Sequence, residues 1–201
     1  MHKQFLKKEI FLKYSFFLIP LIFLFKHNIA TLLLIILSTS LIFYYKQFFK
    51  IINSTNNIIH IFFLYIFLNG IINLNIENFF YLRFYFLILL INYLLNFDDL
   101  IKYKNIILIT LFFTVLDGYI QKIYGFNLVG IENSYITSFF KDEKILGSYI
   151  FKLTTLFLIL SLFFNNKKYI FSYLILIPVF YYLLISTGQR IALVNFSIFS
   201  I

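Results

Sequence analysis

DGYIQKIYGFNLVGIENSYITSFFKDEKILG, residues 117–147, is the longest polar interruption in a chain that is otherwise apolar enough to lie in a bilayer. It carries four of the eight acids (Asp117, Glu132, Asp142, Glu143), three lysines (Lys122, Lys141, Lys144) and four of the six glycines. What it interrupts decides the fold, because apolar runs flank it on both sides. A chain that gathers its acids and its backbone-permissive glycines in one connection places recognition or chemistry there.

Working outward, the 201 residues are 62% hydrophobic and only 12% charged. Soluble domains run at about 45–50% apolar and about 25% charged. Apolar runs near the roughly 17–25 residues needed to cross a hydrocarbon core recur along the whole length. The pattern predicts an all-α fold, a polytopic transmembrane helical bundle of seven to eight helices in a single domain over 1–201. The net charge of +9 comes from lysines dispersed between apolar segments, not gathered on one face, and no nucleic-acid partner is expected. Cysteine is absent, which excludes disulfides, thiolate nucleophiles and cysteine-based metal sites. The thirty Phe and sixteen Tyr beside no Trp follow an overall Phe, Ile, Asn, Lys and Tyr bias, and do not by themselves mark a sugar-stacking surface.

The apolar runs predict helices over roughly 10–25, 29–45, 58–72, 79–95, 106–116, 148–164 and 169–185, with an incomplete one over 191–201 and an outward-facing loop over 117–147. The first run lacks a small-residue cleavage site after it and reads as a retained helix. The last, RIALVNFSIFSI, is too short to span, so a continuation beyond Ile201 is expected. With the N-terminus inside, one side collects Lys3, Lys7, Lys8, Lys13, Lys46, Lys50, Lys102, Lys104, Lys167 and Lys168, as cytoplasmic loops do. The 117–147 segment and the STGQR turn (186–190) then face outward together. No carboxylate is expected in the middle of a helix.

Four stretches carry a resemblance. DGYIQKIYGFNLVG offers an acid, a Gln and an aromatic–Gly–hydrophobic step; SFFKDEKILGSYIFKL offers Asp-Glu-Lys-x-x-Gly-Ser-Tyr at a helix start. STGQRIAL offers Ser/Thr-Gly-x-Arg, and YLRFYFLILLINYLL an Arg at an outer helix start. In order and spacing they resemble the O-antigen ligase and polymerase family of integral membrane enzymes. That resemblance implies transfer of a glycan from an undecaprenyl-pyrophosphate carrier to lipid A-core or to another lipid-linked repeat, at the outer face of the bacterial inner membrane. It implies membrane lipids as surroundings and neither a metal nor another cofactor. It also implies a second half with a large outer loop bearing a catalytic His, whereas the histidines here are His2, His27 and His60.

By the same resemblance, Arg190 and Arg83 are expected to bind pyrophosphate, since a guanidinium meets phosphate oxygens bidentately and keeps its charge. The bland alternatives are an interfacial anchor for Arg190 and a snorkelling side chain for Arg83. Asp117, Gln121, Lys141, Asp142, Glu143, Lys144 and Gly147 form the loop motif. Asp117 and Gln121, at helical spacing, read as orienting the loop. The Lys141–Lys144 cluster reads either as charge favouring a helix N-terminus or as acceptor docking. No catalytic residue is assigned, and His60 reads as structural. A transporter or flippase, or a non-catalytic membrane fragment, are the competing functions.

Overall fold

The computed structural model describes residues 2–25, 27–132, 135–140, 145–164 and 167–200, with side chains for all of these except 2–8, 25, 27–28, 167–176 and 199–200. Among the described residues the fold is all-helical, with one isolated antiparallel bridge between Phe126 and Glu132. Three stretches are long and apolar enough to cross a membrane: Ile29–Ser54, Phe97–Tyr124 and Leu146–Phe163. Where one domain is expected, the chain clusters into two compact units. The first comprises Met1–Phe23 with His27–Phe97, the second Leu24–Lys26 with Asp98–Ile201.

The first unit opens with α1 (His2–Phe25) and α2 (His27–Thr39). The helix expected over 29–45 then changes character: Ser40–Gln47 is 3₁₀, with Tyr44 outside helical geometry. The cause is local. Ser38, Thr39 and Ser40 are consecutive hydroxyl residues, and each bonds back to a carbonyl among residues 35–37. Those carbonyls are the acceptors the next α-turn would use, so the turn tightens. A helix not expected from the sequence, α3 (Phe48–Ser54), follows. Asn56 caps α4 (Asn57–Ile72) by accepting from Ile58 N at 2.9 Å.

The run expected over 79–95 is two helices, α5 (Ile76–Phe80), capped by Asn75, and α6 (Leu82–Leu94). Leu37, Leu41, Ile51, Leu87, Leu90 and Leu94 build this unit's core. Polar side chains tie its elements together. Asn92 Nδ2 donates to Ser54 O and Thr55 Oγ1, and Tyr93 OH donates to Gln47 Oε1. His60 lies between Tyr85 OH at 2.9 Å and Ile52 O at 3.1 Å, which fits its expected structural role in bridging α3, α4 and α6.

The second unit is built on α7, expected over 106–116 but extending from Phe97 to Tyr124, 28 residues. Its buried stripe is Ile107, Thr110, Leu111, Thr114, Asp117, Gly118 and Gln121, the i, i+3, i+4 spacing of one helix face. After the loop come α8 (Leu146–Phe163), α9 (Lys167–Ser186) and α10 (Arg190–Ser200). Leu146, Ile150, Leu153 and Phe157 give α8 its inner stripe. Against lipid, such apolar faces gain little from meeting one another, so close contacts and polar bonds decide the packing. Gly118 makes one of those contacts. A Cβ there would meet both Leu183 methyls at 3.2 Å, so its absence lets α7 approach α9.

Candidate functional site

The polar stripe on α7 continues into the segment expected to be loop. Asp117 and Gln121 are helical and buried, at 0% and 3% exposed. The absence of a carboxylate inside a helix, expected from the sequence, is therefore corrected: Asp117 lies two turns before the end of α7. Its burial is matched by partners. Oδ1 accepts from Leu128 N at 2.7 Å and Oδ2 from Ser138 Oγ at 2.6 Å. One turn on, Gln121 Oε1 accepts from Thr137 N at 2.8 Å and Ser138 N at 2.7 Å.

A third anchor comes from the loop itself. Asn127, 1% exposed, accepts at Oδ1 from Val129 N and Ile131 N and donates from Nδ2 to Ser138 O at 2.6 Å. With Gln121 Nε2 donating to Thr137 Oγ1 at 3.4 Å, six bonds to the three side chains and to Thr114 O thus converge on Ser138 and its neighbour Thr137. They hold Ser138 at φ +52°, a conformation that costs a side-chain-bearing residue about 1–2 kcal/mol. Asn127, Thr137 and Ser138 carry no fixed-spacing signal and were not singled out from the sequence. Only the Asn-x-x-Gly turn around Asn127 is a local sign. Both carboxylate oxygens of Asp117 are thus engaged by the segment that follows α7.

The other two motif stretches meet on the same unit. Ser148 N donates to Gln189 Oε1 at 2.8 Å. A Cβ on Gly147 would lie 2.6 Å from that oxygen and 3.1 Å from Thr187 Oγ1, so glycine makes the contact possible. Gly188, at φ +70°, turns the chain between α9 and α10. Lys122 donates to Ser186 Oγ and lies 3.7 Å from the centroid of the Tyr182 ring. Tyr182 stacks on Tyr119 at 6.1 Å and 14°, and Tyr119 OH donates to Val179 O. Arg190 is exposed at the first position of α10. Lys141, Asp142, Glu143 and Lys144 lie outside the described residues.

Arg83 belongs to the first unit, one residue into α6. It lines a groove of about 680 Å³ with Ile35, Tyr45, Phe79, Phe80 and Phe86. Its guanidinium carbon stands 4.9 Å from the Phe84 ring centroid. Among the described residues its buried Nε has no hydrogen-bond partner, and neither has Gln189 Nε2.

No protein-family model, curated protein or solved structure matches this chain.

Proposed function

We propose that this chain is a multi-pass protein of the bacterial inner membrane, with its N-terminus cytoplasmic, that engages an undecaprenyl-pyrophosphate-linked glycan. In this reading it takes part in transferring the glycan to lipid A-core or to another lipid-linked repeat. The observation that carries it is the Arg83 groove: apolar walls for a polyprenyl chain and a guanidinium side chain among its lining residues. The second unit, taken by itself, offers the exposed guanidinium of Arg190, on the turn stitched to Gly147 and Ser148. Charge supplied there would stabilise a diphosphate leaving group as it departs.

The buried Asp117 favours a second reading, since a carboxylate inside a membrane helix commonly marks an ion or substrate path in transporters. Its two oxygens are taken up by Leu128 N and Ser138 Oγ, which leaves the glycan-carrier reading better supported.

The test is binding of undecaprenyl pyrophosphate to the protein in lipid nanodiscs. Losing a charge-assisted contact of about 1.5–3 kcal/mol weakens binding by roughly ten- to hundredfold, the expected result for Arg83→Ala. Arg83→Lys keeps the charge but loses the planar fork, and is expected to fall between the two. Unchanged binding in both variants would remove the groove from the proposal.

A further inference from the structure

The loop after α7 does not project from the helix end. Gly125, at φ +81°, turns the chain back, and Leu128 N reaches Asp117, seven residues before Tyr124. At 1.5 Å per residue that return covers about 10 Å along the helix axis. A second pass goes deeper. Ser138 Oγ lies 3.3 Å from Thr114 O, ten residues before Tyr124, which is about 15 Å back from the helix end.

The membrane boundary on α7 follows from its charges. Asp98, Asp99, Lys102 and Lys104 occupy the first two turns. About 20 residues cross a hydrocarbon core, and that length counted from Asn105 closes at Tyr124. Tyr119, Tyr124 and the Lys122–Tyr182 pair sit at this end, the combination enriched where membranes meet water. The returning loop therefore lies at the depth of the bilayer, beside the last three turns of α7.

The loop's own bonding agrees. In hydrocarbon, non-helical backbone persists only when its polar groups are satisfied by protein or by a water-filled cavity. Here Leu128, Val129, Gly130, Ile131, Thr137 and Ser138 all donate their N–H to protein acceptors. Outward, the turn presents Phe126, Leu128 and Val129, 46%, 56% and 61% exposed, and the exposed Glu132 closes the turn against Phe126. Over residues 126–129, polar groups inward and apolar groups outward invert the pattern of a loop in water.

We propose that residues 125–132 and 135–140 form a re-entrant loop in the leaflet nearer Tyr124, with Phe126, Leu128 and Val129 in contact with lipid acyl chains. The inference rests on α7 crossing the bilayer and is independent of the glycan-transfer chemistry.

The chain has no Trp, so a single introduced Trp reports its own surroundings. Val129→Trp, and separately Leu128→Trp, is reconstituted in phosphatidylcholine vesicles with plain or acyl-brominated lipid, beside Phe112→Trp on the exposed face of α7 as a lipid-facing reference. Blue-shifted emission, loss of most intensity in brominated lipid and little quenching by acrylamide are expected for all three. Adding Asp117→Ala to Val129→Trp releases the turn and is expected to bring acrylamide quenching. Red-shifted emission quenched by acrylamide at 128 and 129 would place the turn in water and overturn the proposal. Protection from both quenchers would place it against protein and overturn it equally. If one variant fails to insert, the other decides.

Discussion

The backbone N–H of Ser148 points at Gln189 Oε1 from 2.8 Å, across the space where Gly147 has no side chain. Gly147→Ala puts a methyl 2.6 Å from that oxygen and 3.2 Å from Leu184. Overpacking of this kind costs about 1–3 kcal/mol, and here it also breaks the bond it displaces. A lower midpoint of thermal unfolding in detergent is expected. Ser148→Ala, which keeps the backbone donor, is expected to leave the midpoint nearly unchanged.

Asp117→Ala leaves the Leu128 N–H without an acceptor, at about 1–3 kcal/mol for a group stranded away from water, and takes the shorter of its two bonds from the Ser138 hydroxyl, which keeps Thr114 O at 3.3 Å. Asp117→Asn keeps one oxygen, for Leu128 N, and is expected to lose less. Limited proteolysis in detergent should show new cleavage within 125–140 in the alanine variant and little in the asparagine variant.

Ser138 separates backbone strain from side-chain bonding. Ser138→Ala removes the hydroxyl bonds to Asp117 and Thr114 O and keeps the left-handed conformation. Ser138→Gly removes the same bonds and relieves a cost of about 1–2 kcal/mol. The glycine variant is therefore expected to unfold at the higher temperature of the two, the reverse of the usual order of alanine and glycine.

Without native cysteines, the proposed orientation can be read by single-cysteine labelling of whole cells with a membrane-impermeant maleimide. Arg190→Cys is expected to label from outside, and Lys167→Cys only after the cells are opened. Outside labelling at position 167 would reverse the orientation.

The apolar runs made the helices legible, because each is long and bounded by polar residues. Their ends were less so. Asp117 and Gln121 read as the start of a loop since a carboxylate and an amide ordinarily seek water. Here they are consumed by groups 11 to 21 residues further on, Leu128, Thr137 and Ser138, and no local pattern announces that pairing. The break at Tyr81 was hidden for a related reason. Phe79 to Leu95 is apolar but for Arg83 and Asn92, while the Asn75 cap that starts α5 lies upstream of that run. Gly147 and the 186–190 turn were singled out as motifs, but only the geometry reveals that glycine leaves room for Gln189.

The 3₁₀ stretch Ser40–Gln47 gives the Arg83 groove one irregular wall. Leu41, Ile42 and Tyr45 from that stretch line the cavity. Two short pieces meet there at Tyr44, the residue outside helical geometry, whose ring rests 5.2 Å from that of Tyr93. Residues that leave the regular helical spacing in this way set the outline that an occupant of the groove has to fit.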